Sequence, residues 1–477
     1  MPTITVREPE RDIEVLDQVD VLVAGGGVAG CAAALGAARA GARTALVERN
    51  GVLGGVATAG LMANIGNMFL DREGRLVVGG AGREVVERLV ARGAASPHWA
   101  SREVPGVVID SEQLKLLLGQ MLREAGVTVL THVLAARPVV EGSAVRGAFV
   151  ESKRGRQAIV AKATVDCTGE ADLAWQAGCP TRWSGGTASV EFKMGRVDLE
   201  ALYQHFRRHP ETFPVGMDMV KGFAEFERNW VDRGIFFFPH GGGRKWDIFL
   251  DAIERGEFHP QRNGLRGLHA AGLYGLRGLD QVVVNSNFWA VESLDPRAVG
   301  EAELACQEAC AYVADFFRRR VPGFATAYIS EIASDIGIRV SRGVEGEATL
   351  RAEHTAASQP VRFPDAVGGM AARASFEHGG EFFQPHTFDI PYGILVPKVV
   401  DGLLVGSGKS VSCEPQRLIR GMVGCMSCGQ AAGAAAALAA SSGVAPRQLE
   451  VRGLQKTLLD QGALLGDAAR LEDLGLA

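Results

Sequence analysis

The chain has 477 residues, with 50 basic and 55 acidic side chains, a formal net charge of −5 and 47% hydrophobic residues. That length buries a large core and normally divides into more than one domain, and the acidic balance leaves no basic excess to neutralise a phosphate backbone, which excludes nucleic acid as the main partner. Eight cysteines are too sparse for a disulfide scaffold.

The N-terminal twenty residues hold no apolar run of the secretory kind, so the expected compartment is the cytoplasm. Residues 19–24 are a short apolar run that reads as a buried parallel strand. A glycine-rich turn follows, then a small-residue helix over 29–40, and a second strand over 44–47 that ends at Glu48. The spacing makes a βαβ unit. Residues 82–93 and 110–125 read as helices, and 127–133, 139–150 and 158–167 as strands. Residues 181–384 differ in texture: they hold seven of the ten histidines and most aromatics. Pro296 and Pro322 bracket one strong helix near 296–320. The tail returns to the first texture, with a strand over 402–405 and a Gly/Ala helix over 421–440. Residues 21–38 and 421–442 lack charge but are rich in Gly and Ala, so no membrane span is expected.

Glycine is over-represented, at 61 residues, and it is clustered: 11 lie between Gly25 and Gly66 and 7 between Gly402 and Gly433. Clustered glycine marks turns with positive φ or close approach of backbone to a ligand. The first cluster opens with Gly25-x-Gly27-x-x-Gly30, set between the predicted strand and helix. Gly25 permits the tight turn, Gly27 lets backbone approach a pyrophosphate, and Gly30 with Ala34 lets the helix pack on the sheet. The helix N-terminus then offers free N–H groups to a diphosphate. Glu48 stands where a carboxylate accepts from a ribose diol. Three features favour FAD over NAD: the Gly54-Gly55-Val56-Ala57-Thr58 loop, the strand end Asp166-Cys167-Thr168-Gly169, and the C-terminal run Gly406-Ser407-Gly408-Lys409 ahead of a helix.

These residues together resemble the FAD-dependent oxidoreductases of the glutathione-reductase-like two-domain flavoprotein superfamily. The resemblance is carried by Leu53-Gly54-Gly55, by the run from Asp166 to Ala174, by Ile390-Pro391-Tyr392 with Leu395-Val396-Pro397-Lys398, and by Arg420-Gly421-Met422 with Gly429-Gln430-Ala431-Ala432-Gly433. It implies an α/β fold in which a Rossmann-like FAD-binding domain is built from residues 1–180 and 385–477. An α+β substrate domain, residues 181–384, is inserted between them. One position departs from the pattern: Lys409 stands where the family usually has Arg, which keeps the charge but not the bidentate fork. The expected cofactor contacts are Gly25, Gly27, Ala29, Gly30, Glu48, Arg49, Gly54, Gly55, Val56, Thr58, Val133, Thr168, Gly169, Gly408, Gly424, Gly429 and Gln430. The early loop holds no His for covalent attachment, so FAD is expected to bind non-covalently.

A second GxGxxG is absent, which argues against a pyridine-nucleotide–disulfide reductase, and no HExxH or paired CxxC suggests a metal. The leading expectation is hydride exchange between a small organic substrate and flavin N5, as a dehydrogenase or oxidase, with the electron acceptor unspecified and homo-oligomer formation left open. His386 is the first candidate acid or base, because it precedes the Phe388-Asp389-Ile390-Pro391-Tyr392 return. Arg339 and Arg342 are candidates to anchor a carboxylate or polarise a carbonyl, and Tyr392 to orient a ring or donate a proton. Two alternatives remain: a thiol/disulfide or electron-transfer reductase using Cys425 and Cys428, and a flavin-binding sensor without turnover.

Overall fold

A computed structural model of the chain describes residues 4–66, 68–71, 73–214, 222–238, 246–356, 361–371 and 387–477. The apolar run near the N-terminus forms β1 (Val15–Ala24), followed by α1 (Val28–Arg39) and β2 (Thr44–Glu48). Parallel neighbours flank β1 on both sides, which is why its last four residues are all apolar and fully buried instead of alternating. Next come α2 (Gly80–Ala91), α3 (Ser111–Glu124), β3 (Thr128–Thr131), β4 (Leu134–Glu141), β5 (Ala144–Ser152) and β6 (Gly155–Asp166). Asp110 caps α3 by accepting from the Glu112 and Gln113 N–H groups. The single strand expected over 139–150 is instead the β4–β5 hairpin. Gly142, at φ +61°, makes its turn, and a run of valines on both sides hides that turn in the sequence.

The strand order is β3-β2-β1-β6-β5-β4, and the C-terminal strand Leu403–Val405 completes a seven-stranded sheet. That strand lies parallel to the far half of β6, with Leu403 opposite Thr164 and Val405 opposite Asp166, while the near half of β6 pairs antiparallel with β5. The two chain ends therefore meet in one sheet. The helix Met422–Ser442 lies along α1, and small residues set the distance between them. A Cβ on Gly429 would fall 2.1 Å from the Ala29 carbonyl oxygen, and one on Gly433 would fall 1.9 Å from that of Ala33. By length and composition this helix could cross a membrane, but 89% of its most apolar window is buried inside the protein.

A second sheet is antiparallel throughout, in the order Ile235–Phe238, Gly272–Leu276, Gln281–Asn285, Phe192–Gly195, Tyr328–Ile332. The helix Pro296–Arg320 packs beside it, opened by Pro296 and capped by Asp295. Rings of Phe206, Phe226, Phe238, Trp246, Phe249, Phe316 and Phe317 fill this core. Val344, Leu350, Val367 and Met370 pack into the core of the first sheet. Along the chain, packing therefore returns to that core between Ala333 and Val344, ahead of residue 384.

Candidate functional site

Gly25 turns the chain out of β1 at φ +97°, and a Cβ there would fall 2.4 Å from the Cys167 carbonyl oxygen. A Cβ on Gly30 would lie 1.7 Å from the Gly25 carbonyl oxygen, so the helix can start this close to the turn only with glycine. Gly27 caps α1 without any side-chain bond, and the first turn holds no acidic residue. In front of Gly27 the nearest atom a Cβ would meet is Gly55 Cα at 4.0 Å. Gly54 donates to the Gly26 carbonyl at 2.8 Å, which holds the second glycine loop across from the first. A gap between two glycine backbones, beside an uncapped helix N-terminus, fits a diphosphate. Glu48 is buried, with Oε2 accepting from Gly26 N–H at 2.6 Å and Oε1 from Asn50 N–H at 2.8 Å. Those bonds fix the carboxylate in place, and each oxygen keeps a lone pair for a ribose hydroxyl. Val133 donates its N–H to the Glu48 carbonyl at 2.9 Å, on the same edge.

The remaining cofactor candidates divide. Thr58 is fully buried and donates to the Leu53 carbonyl at 2.6 Å, which closes the 54–58 loop, while Val56 stands partly exposed on it. Thr168 donates from its N–H and its hydroxyl to Asp166 Oδ1, at 3.0 and 2.6 Å, and accepts from Asp172 N–H at 2.9 Å. Asp166 Oδ2 accepts from Ala174 N–H at 2.9 Å, so this buried carboxyl ties the whole turn after β6. Burial pushes the Asp166 carboxyl up. Gly169 faces the Lys409 side chain, and Lys409 donates to Glu170 and to the Ile338 carbonyl. The lysine that departs from the family pattern thus joins three distant segments of the chain. Gly408 and Gly424 both back onto the Ile419 carbonyl, each at 2.4 Å for a built Cβ.

Three of the expected cofactor contacts are engaged within the protein itself. Gly429 gives its missing side chain to the contact with α1 described above. Gln430 Oε1 accepts from the Ala81 N–H at 2.9 Å, and its Nε2 reaches Gln461, so this amide serves the start of α2 and not the fingerprint. Arg49 pairs with Asp335, which brings the end of β2 to the segment after strand Tyr328–Ile332.

The substrate-side candidates scatter as well. Tyr392 is buried and donates its phenol to the Pro446 carbonyl at 2.8 Å, a packing role, and burial pushes its phenol up. Arg342 donates to the Glu170 carbonyl and to Asp172, both at 3.3 Å, and lies 4.3 Å over the Trp175 ring. It therefore braces the turn after β6. Arg339 has its guanidinium 4.9 Å over the Phe288 ring and donates to Thr187 Oγ1 at 3.4 Å. His386 lies outside the described residues. Glu191 was not singled out by the motifs. It is 3% exposed, its Oε2 has no hydrogen-bond partner, and Arg339 acts on it electrostatically. The signal available in the sequence was weak: a carboxyl between Val190 and Phe192, in a stretch that also holds Ser189 and Lys193.

All eight cysteines are unpaired and buried. Burial raises the thiols of Cys425 and Cys428, which keeps both protonated and opposes a thiolate nucleophile there. Among the described residues no cluster of His, Cys, Asp and Glu is arranged to hold a metal ion. A cavity of about 370 Å³ opens beside the start of helix Pro296–Arg320, between Trp289, Ala302, Ile336 and Ile338.

Parallel strands with this turn, helix and terminal acid define a dinucleotide-binding protein. Residues 20–458 match the family described as FAD dependent oxidoreductase, and the chain belongs to that family. It is an FAD-dependent oxidoreductase, with FAD as its cofactor. Among solved structures it is similar to a geranylgeranyl bacteriochlorophyll reductase-like protein from Thermoplasma acidophilum, at 14% identity over 97% of this chain and 88% of that one, TM-score 0.44. It is similar also to p-nitrophenol 4-monooxygenase PnpA from Pseudomonas putida DLL-E4, at 10% identity over 97% and 93%, TM-score 0.46. A third is the flavin-dependent brominase Bmp2, at 11% identity over 93% and 83%, TM-score 0.44. Likeness at this level passes no substrate or reaction to this chain.

Proposed function

We propose that this enzyme moves a hydride between a small organic carboxylate and FAD, with residues 181–384 supplying the substrate side. One observation carries the reading. The Ser334 N–H donates to the Ala59 carbonyl at 3.0 Å, which docks the segment bearing Arg339 against the loop that runs on from the fingerprint. Gly27, Gly55 and the α1 N-terminus would hold the diphosphate, and Glu48 the ribose diol. FAD, when bound, supplies the hydride acceptor. Arg339, held over Phe288, orients the carboxylate of the substrate so that its reacting C–H faces the cofactor. The buried Cys425 and Cys428 thiols give no support to the disulfide alternative.

The test is anaerobic bleaching of the purified yellow protein by a panel of small hydroxy- and amino-carboxylates, with NADH and NADPH as controls. At least one carboxylate is expected to bleach the flavin. Arg339→Ala is expected to raise its half-saturating concentration about tenfold or more, the loss of a charge-assisted contact, with a smaller change in limiting rate. Bleaching by a nicotinamide and by none of the carboxylates would overturn the reading.

A further inference from the structure

We infer that Glu191 takes up and returns the substrate proton, and that Asn285 and Ser286 hold the oxygen or nitrogen that carries it. This rests on the hydride-transfer reading above and extends it to the group lost with the hydride.

Among the described residues, three side chains near one end of the five-stranded sheet have polar atoms with no protein partner. They are Glu191 Oε2, Asn285 Oδ1 and Nδ2, and Ser286 Oγ, on residues that are 3%, 0% and 0% exposed. Phe192 pairs with Val284, so continuing the register by one step sets Glu191 opposite Asn285. Directly opposed residues of an antiparallel pair share a face. The next residue but one shows that this end of the sheet is otherwise well satisfied. Asn287 spends both ends of its amide on Val190, donating to its carbonyl at 2.7 Å and accepting from its N–H at 2.9 Å. Buried polar groups are normally paired, so four unpartnered polar atoms on residues near this end of the sheet call for a polar ligand.

The cluster also sits where the cofactor loop arrives. The Glu191 carbonyl accepts from Ala333 N–H at 2.9 Å, and the following residue, Ser334, is the one bonded to Ala59. The donor and acceptor set is that of a small carboxylate bearing an alcohol or amine on its reacting carbon. Arg339 takes the carboxylate, while Asn285 and Ser286 fix the hydroxyl or amine. In oxidation the C–H bond breaks and its electron pair leaves as hydride for FAD. The O–H or N–H proton goes to Glu191 Oε2, and a C=O or C=N bond remains. Reduction runs the same path backwards, with Glu191 giving the proton.

Burial raises the Glu191 carboxyl to about 8, against the pull of Arg339. Cys310, on helix Pro296–Arg320, faces it as a thiol kept protonated by burial. Lys193, two residues further along the chain, is committed to Glu112 at 3.0 Å and Glu331 at 2.7 Å. A group poised near neutrality can both accept and release a proton. Its base form grows as pH rises, so oxidation is expected to accelerate through about pH 8 and reduction to slow.

The experiment compares wild-type holoenzyme with Glu191→Gln, a near-isosteric change. Infrared difference spectra without substrate should show a protonated-carboxyl stretch that E191Q lacks and that disappears with a midpoint near pH 8. E191Q should retain FAD, yet slow bleaching by the active carboxylate by about a hundredfold or more and lose the pH dependence. Asn285→Ala should raise KM more than it lowers kcat. A wild-type rate that does not respond to pH in that range overturns the inference without any variant. Bleaching by E191Q at the wild-type rate overturns the role of Glu191 and leaves the hydride-transfer reading standing. A wild-type flavin bleached by no carboxylate overturns both.

Discussion

The two sheets are stabilised in opposite ways. The seven-stranded sheet and its two helices approach by omitting side chains: Gly25, Gly30, Gly429 and Gly433 each bring a backbone within 2.4 Å of where a Cβ would be. The five-stranded sheet is filled by rings, among them Phe249 stacked on Phe316 at 4.6 Å between centroids. A surface made of exposed backbone donors leaves room that a cofactor's phosphates can occupy. A ring-packed core leaves none, and the unmatched polar atoms of the second sheet collect at one end of it. The contrast explains why the cofactor cradle is built from glycine and why, in the proposed reading, substrate recognition falls to a few buried polar side chains.

Breaking the first region should have the largest effect. Gly30→Val forces its Cβ onto the Gly25 carbonyl oxygen, and the purified protein is expected to carry no flavin in its absorption spectrum. Yellow protein from this variant would mean that the α1 N-terminus does not hold the cofactor. Breaking the second region should be milder in kind. Phe249→Ala empties a fully buried ring site and is expected to cost about 3–5 kcal/mol in urea unfolding, with FAD still bound in native buffer. Loss of flavin at the same urea concentration as the ring core would show that the two sheets unfold as one unit. The smallest effect is expected from Cys425→Ala and Cys428→Ala, whose thiols pack as small apolar groups. Substrate-driven flavin reduction should stay within about twofold of wild type. A loss of turnover in either would return the dithiol to the mechanism.

Much of the first region is legible along the chain. The strand, turn, helix and acid from β1 to Glu48 lie where the apolar run and glycine spacing place them, because each signal acts between residues a few positions apart. The β4–β5 hairpin was not legible: valines on both sides of Gly142 masked a turn that needs only one positive φ. At the site, Gly27 and Gly55 face each other, and Glu48 accepts from the adjoining Gly26 N–H. Gln430, Arg342 and Tyr392 do not join it. Gln430 was expected beside the cofactor, and Arg342 and Tyr392 beside the substrate; their hydrogen bonds go to Ala81, Asp172 and Pro446.

The sequence by itself determined a dinucleotide site, since a diphosphate cradle is a local object whose glycines, helix start and terminal acid fall within one βαβ unit. It determined too that both chain ends carry the small residues needed to meet. Only the tertiary structure decided which polar side chains share a space. Glu191 and Arg339 lie just beyond the strands Phe192–Gly195 and Gly337–Ile338, and Asn285 ends a third, so their register and burial depend on how the sheets pair and on what packs over them. No spacing in the chain records either.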